Sequence, residues 1–318
     1  MPVRILLVAC LLGFCGAAQA LYPERPIKVI LPFPPGGTVD VISRLVCAEM
    51  SEIFGKPVVI DYRPGAGGTL ATEAAARAPA DGYTLLYTTP NHTINPALRK
   101  LPFNTETDFV PVSLIANVPE LLVAHPAAPF DNFQDFLKYA KANPGRLNYS
   151  SAGTGTLPHV TMELLLRRAD VRVTHVPYKG AAPALTDLLA GVVQLKYDTF
   201  ATSSQLAATG KLKVLATAGI ARLPQLPAVP TIAESGFPGY EGYLWIGAVA
   251  PRGTPAEAVA AISAAIAKAV RAPKFAERLR ADGIEVPTGG PEHLARLIAE
   301  ELKTWSRLVR EANISASD

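Results

Sequence analysis

The sequence predicts an α/β protein of two lobes joined by a hinge, each lobe a mixed, mostly parallel sheet flanked by helices. Three observations predict it. Short apolar runs alternate with amphipathic helical patterns along the whole chain. Two separate Gly-rich loops, at 31–40 and 150–159, each follow a strand and open a helix. Loop signals cluster near 118–129 and 222–231, and the run Arg222-Leu223-Pro224-Gln225-Leu226-Pro227 is too rich in proline to be helical. Two crossings at those points would enclose 125–226 as an inserted lobe. The ends, 21–124 and 227–318, would pair into the other, with a cleft between.

Composition agrees with a packed, exported protein. Residues of the hydrophobic set make up 49% of the chain, enough for a large core, and charged residues only 18%, too few for a disordered chain. The net charge of +3 gives no reason to expect a nucleic-acid or anionic-membrane partner. Residues 1–20 read as a secretory signal peptide: a basic start at Arg4, an apolar run from Ile5 to Phe14 and a small-residue cleavage site at Ala18-Gln19-Ala20. That run is too short to span a bilayer. Leu7-Val8-Ala9-Cys10 resembles a lipoprotein box, but cleavage there would leave almost no apolar core before the cut. The mature chain is therefore expected to start at Leu21, in the periplasm. It keeps only Cys47, which rules out an internal disulfide and suits a small buried hydrophobe.

The elements follow in order. Strands are expected at 29–31, 58–61, 85–88, 121–124, 148–150, 173–176, 192–197 and 212–217. Ile42, Leu45, Val46, Met50 and Ile53 form one helical stripe. Asp131 and Gln134 suggest a capping box, and Pro183 and Gly191 bracket a short helix. Thr254-Pro255-Ala256-Glu257 opens an Ala-rich helix with a cap, a proline and a capping glutamate. The last helix, from Pro291, carries Leu294, Leu297, Ile298, Leu302, Trp305, Leu308 and Val309 toward a core made earlier in the chain.

The functional reading rests on the two loops. In Leu31-Pro32-Phe33-Pro34-Pro35-Gly36-Gly37-Thr38, consecutive glycines let backbone N–H groups approach a ligand, and the helix N-terminus favours an anion. The loop holds no nucleophile, Lys or Arg. Ser151, Thr154, Gly155, Thr156 and His159 repeat the design in the other expected lobe. Two such termini facing a cleft would clamp one carboxylate with backbone N–H groups and Thr hydroxyls, without the desolvation cost of a buried Arg. Either loop alone is equally explained by packing. A third loop, Arg63 to Gly68, reads more simply as a turn. Thr89 and Asn91 lie beyond a strand end, where ligands of open α/β sheets sit. Asp198 also ends a strand; it suits a water, an amino or a hydroxyl group on a ligand, or equally a helix cap.

These residues resemble the substrate-binding proteins of the tripartite tricarboxylate transporter family, also called the Bordetella uptake gene family. The resemblance spans the mature chain: Tyr22-Pro23-Glu24-Arg25-Pro26-Ile27, then PFPPGGTVD at 32–40, RPGAGG at 63–68 and PADGYTLL at 79–86. KANPGRLNYSSAGTGTLPH at 141–159, HVPYKGAAPALTDLLAG at 175–191, LPAVPTIAESGFPGYE at 226–241 and APRGTP at 250–255 complete it. It implies the type II periplasmic binding protein fold and capture of mono- to tricarboxylates for a membrane permease. It also implies a site built from the loops matching Phe33 to Thr38 and Ser151 to Thr156, with bridging waters and with Tyr178 and Lys179 near the cleft. Thr38 and Thr156 stand where many members carry Ser; the hydroxyl is kept. Tyr197-Asp198-Thr199 falls in a variable stretch, which leaves ligand identity open.

Enzyme chemistry finds little support. His92, His125, His159, His175 and His293 form no metal-site pattern, so neither metal nor cofactor is expected, and no GxSxG or Walker A sequence occurs. Two alternatives to a transport receptor stand: a sensor module docking on a sensor kinase, and an exported α/β enzyme using Asp40, Asp198, His159 or Lys179. The expected partners are a small organic anion and either permease subunits or a sensor kinase, with no nucleic acid. The receptor itself is expected to be a monomer.

Overall fold

The computed structural model describes residues 22–287 and 289–316. The signal-peptide expectation, with Cys10, lies outside them. The chain runs β1 (Ile27–Leu31), α1 (Thr38–Phe54), β2 (Val58–Tyr62), a short 3₁₀ turn (Ala66–Gly68), α2 (Thr69–Ala76), β3 (Thr84–Thr88) and α3 (Asn91–Leu98). Then come β4 (Phe109–Ala124), α4 (Phe133–Ala142), β5 (Asn148–Ser151), α5 (Leu157–Ala169), β6 (Thr174–Pro177), α6 (Ala181–Leu189), β7 (Leu195–Thr199), α7 (Phe200–Ala208) and β8 (Lys213–Thr217). β9 (Tyr243–Pro251), α8 (Ala256–Ala269), α9 (Pro273–Ala281) and α10 (Pro291–Glu311) end it.

Two groups of parallel strands are joined through two strands with antiparallel pairings, β9 and β4. The order is β2-β1-β3-β9-β4-β7-β5-β6, with β8 also on β4. β1 pairs in parallel with β2 and β3, and β5 with β6 and β7. Strand β4 joins the groups. Its residues Phe109 to Pro119 pair with β9, and Glu120 to Ala124 pair with β7. The loop expected at 118–129 is thus strand as far as Ala124. A backbone leaving one group can enter the other without losing its ladder hydrogen bonds, so no loop is needed at that crossing.

Local signals explain most boundaries. Gly55 takes the left-handed conformation that ends α1 (φ 60°). Asn132, rather than Asp131, caps α4, its side chain accepting from the Asp135 N–H; Asp131 instead pairs with Lys213 at 2.6 Å. The Thr254 hydroxyl donates to the Pro251 carbonyl instead of capping α8. Helix α10 buries Leu294, Ile298, Trp305 and Val309 against β4 and α3. Each such side chain contributes about 1.5–3 kcal/mol of transfer free energy. Cys47 is buried, and burial pushes its thiol up to about 12, so it acts as core.

Candidate functional site

The strand-to-helix turns place two helix N-termini on one cavity. It lies between the two strand groups, a space of about 50 Å³. Phe33, Gly37, Thr38 and Val39 line it from the first loop and α1, and Ala152, Thr156, Leu157 and Pro158 from the second loop and α5. The first N–H groups of a helix have no partner within it, so α1 presents donors to this space; at α5 Pro158 has no N–H and the Thr156 and His159 N–H groups are bonded to Gly153 O and Thr156 O, which leaves the Leu157 N–H as its donor. Thr89 lines the same space from the end of β3, and Glu120, Lys196, Asp198 and Thr199 from β4 and β7. Apolar walls come from Leu157 and Leu244.

Not every loop amide faces the ligand space. The Gly36 N–H donates to Asp40 Oδ2 at 2.9 Å, the Gly153 N–H to Ser151 Oγ at 3.1 Å, and the Gly155 N–H to His159 Nδ1 at 3.2 Å. These bonds shape the loops. Asp40 also accepts from Tyr62 at 2.6 Å and Arg44 at 2.9 Å. Burial alone would raise its pKa, but the bonds from Tyr62, Gly36 and Arg44 outweigh that and hold it below the usual value. Asp40 is therefore a fixed anion organising the first loop. Ser151 Oγ lies 2.7 Å from His175 Nε2, and the His175 ring stacks on His159 at 4.4 Å. Ser151, Gly155 and His159 thus form the support behind the second loop.

The two halves touch at the cavity's edges. The Thr38 and Thr199 hydroxyls lie 2.6 Å apart. Asn95 Nδ2 reaches the carbonyls of Gly67 at 3.1 Å, Gly155 at 3.3 Å and Asn91 at 2.8 Å, and Asn91 Nδ2 reaches Gly67 O at 2.8 Å. Arg99 Nη2 donates to Thr154 O at 3.2 Å. Asn91 also accepts a short hydrogen bond from Thr89. The 63–68 loop, read from sequence as a turn, is also part of the rim. A Cβ on Gly67 would lie 2.3 Å from Thr154 O. An outer cavity of about 240 Å³ is lined there by Gly65 to Gly68, Arg99, Thr154, Tyr178 and Lys179, and Phe33 and Ala152 line both spaces. Tyr178 is tied to Asp187 by a 2.5 Å hydrogen bond. Arg99 and Lys179 give this outer space a positive character that favours approach of an anion.

Of the residues expected from sequence, Phe33, Gly37, Thr38, Thr89, Thr156 and Asp198 line the inner cavity, and Phe33, Thr154 and Tyr178 the outer one. Gly36, Asn91, Ser151, Gly155 and His159 shape or latch the loops behind them. Asp198 has both oxygens engaged: Oδ1 with Lys196 Nζ at 2.6 Å and Oδ2 with Ser203 Oγ at 2.8 Å. It is not the helix cap considered for it, because no side chain caps α7. The sequence reading did not single out Glu120, Asn95, Arg99, Lys196 or Thr199. Glu120 had a signal: a lone carboxylate inside the apolar strand Val118 to Val123. Burial pushes it up to about 8, against the pull of Lys196 and with a further push from Asp198.

A family model described as the tripartite tricarboxylate transporter family receptor matches residues 42–314. The chain belongs to that family. This receptor is 41% identical over 93% of its length to a protein from the tcbD-tcbE intergenic region of Pseudomonas sp. strain P51, covering 89% of that protein. It is 34% identical over 91% of its length to BugT of Bordetella pertussis, covering 90% of it. Among solved structures, the periplasmic binding protein BugD superposes with a TM-score of 0.89 at 34% identity, over 92% of this receptor and 99% of BugD. MatC from Rhodopseudomonas palustris, solved with bound malate, superposes with a TM-score of 0.87 at 36% identity (91% and 100% covered). A second R. palustris protein, solved with adipate, gives 0.88 at 37% (92% and 99% covered). The receptor therefore has the two-lobed binding-protein fold and is a solute-binding protein, not an enzyme. No described helix is long and apolar enough to cross a membrane.

Proposed function

We propose that this receptor captures a small organic carboxylate in the cavity between its two strand groups and delivers it to the membrane permease of a tripartite tricarboxylate transporter. One observation carries the reading: the N-termini of α1 and α5, one from each strand group, line one cavity. Main-chain donors and hydroxyls there match a carboxylate, and hydrogen bonds within each loop hold its own donors in place. The family match and the malate and adipate held by two structural neighbours support that ligand class. The lobes are 21–124 with 227–318, and the inserted 125–226, closing about the β4 crossing when the anion binds. The site residues are Phe33, Gly37, Thr38, Thr89, Thr156 and Asp198, with Gly36, Asn91, Ser151, Thr154, Gly155, His159 and Tyr178 shaping the loops and rim.

Titration calorimetry against mono-, di- and tricarboxylates tests the capture step. Micromolar binding of at least one, with a smaller radius of gyration in solution scattering, is expected; no binding across the panel overturns it. Loss of uptake of the bound acid on deletion of the gene tests delivery. An unchanged uptake with an altered transcriptional response would favour the sensor reading.

A further inference from the structure

We propose that Glu120 is a specificity-determining residue of the inner cavity, where its acid form donates a hydrogen bond to a carboxylate oxygen of the captured anion. This deepens the proposed function and rests on that reading of the cavity. Glu120 lines the same cavity as the first turns of α1 and α5. It is only 3% exposed, and its Oε2 has no hydrogen-bond partner in the protein. Its register partner on β7 is Thr199, whose hydroxyl meets Thr38 at the start of α1. The carboxyl group is therefore carried beside the anion-binding terminus, on the wall of the same cavity.

The surroundings give Glu120 only a shared counter-charge. On β7, Lys196 pulls its pKa down and Asp198 pushes it up, but Lys196 is engaged in a 2.6 Å pair with Asp198 and donates to the Tyr197 carbonyl at 3.0 Å, and burial prevails. The Tyr197 and Tyr240 hydroxyls are committed to each other at 2.6 Å, and Tyr240 also donates to Thr161 O. An ionised Glu120 beside an incoming carboxylate would place two like charges in a desolvated space, and one of them must take a proton. A neutral Glu120 turns that repulsion into a charge-assisted hydrogen bond. Burial already favours this form, holding the free group near 8. A ligand carrying an ammonium group at this position would require the opposite: an ionised Glu120.

The two cases give opposite pH dependences, which binding of malate, adipate, succinate and citrate to the full chain between about pH 7 and about pH 9.5 separates. The acids are fully ionised there, and Cys47, held near 12, does not titrate. If the bound form needs the Glu120 proton, affinity is flat up to about 8 and then falls about tenfold per pH unit, about thirtyfold by the top of the range. Binding above pH 8 should also take up a proton. Glu120→Gln, isosteric and still a donor, should bind within a few-fold of the unsubstituted protein at pH 7 and lose the pH dependence. Glu120→Leu should bind about tenfold more weakly or worse. An affinity that is flat or rises with pH in the unsubstituted protein overturns the role of Glu120 while leaving the anion site standing. No binding by any of the four acids at pH 7 overturns the anion site, and this role with it.

Discussion

The Thr38 hydroxyl lies 2.6 Å from the Thr199 hydroxyl, joining the first residue of α1 to the last residue of β7. One residue opens a helix at the end of one parallel strand group; the other ends a strand of the second group. Both line the inner cavity. The hydrogen bond exists only while the two sides are together, so it contributes to closure and not to the folding of either side.

Replacing Thr38 by Val removes this contact and one hydroxyl donor from the cavity. The expected result is a five- to twentyfold loss of carboxylate affinity, about 1–2 kcal/mol, with little change in melting temperature. Thr38→Ser should retain most of the affinity. Calorimetry beside thermal melts of the ligand-free proteins checks both statements.

Gly67 provides a steric test of closure. Its φ of 62° already favours glycine, and a Cβ there would meet Thr154 O at 2.3 Å. Gly67→Ala should cost about 1 kcal/mol in the ligand-free protein from the backbone conformation alone. It should cost far more in the closed form, so ligand affinity should fall by more than tenfold. Solution scattering should show the variant staying expanded when ligand is added.

Lys196 and Asp198 are 2% and 3% exposed and form a 2.6 Å pair. Lys196→Met leaves the Asp198 charge buried with only Ser203 to serve it, a loss of about 3–5 kcal/mol in folding stability. Adding Asp198→Asn should restore much of that loss. Urea unfolding of the two single variants and the double variant measures the coupling.

Two desolvated carboxyls, Glu120 buried and Glu301 part-buried, set a pH dependence of stability. Glu301, bonded by Thr93 at 2.6 Å and Trp245 at 2.9 Å, is pushed by burial from 4.5 to about 7 despite those bonds, and Glu120 to about 8. The folded protein therefore holds protons that the unfolded chain has released. Their contribution is full below about pH 4.5 and is lost as pH rises through 7 and 8. Glu301→Gln should be more stable than the unsubstituted protein at pH 8, on the order of 2–3 kcal/mol, with the gap closing by about pH 5. Urea midpoints at the two pH values check the sign.

The main design was legible in the chain because it rests on local chemistry. A strand, a Gly-rich turn and an apolar stripe identify the start of α1 and of α5 without knowledge of their neighbours. The α10 stripe was equally readable, with Leu294, Ile298, Trp305 and Val309 all buried. What sequence hid was long-range. Strand β9 and the first half of β4 stabilise one another by pairing across the sheet, and Pro119 within β4 falls in the 118–129 stretch that reads as loop. The latch at Asn95 joins residues 60 positions apart, and the Thr38–Thr199 contact residues 161 apart. Asp198 lines the cavity at its strand end, and what the sequence pattern did not reveal is that its oxygens are already bonded by Lys196, two residues away on the same strand, and by Ser203. The open carboxyl belongs to Glu120, on the neighbouring strand.

The most direct measurement is a crystal structure of the protein grown with malate or adipate. The account predicts one carboxylate of the ligand between the first turns of α1 and α5, with its oxygens within hydrogen-bond distance of main-chain N–H groups among Gly37–Val39 and of the Leu157 N–H. A ligand held elsewhere, or held in that cavity by side chains alone with both helix termini turned away, would contradict it.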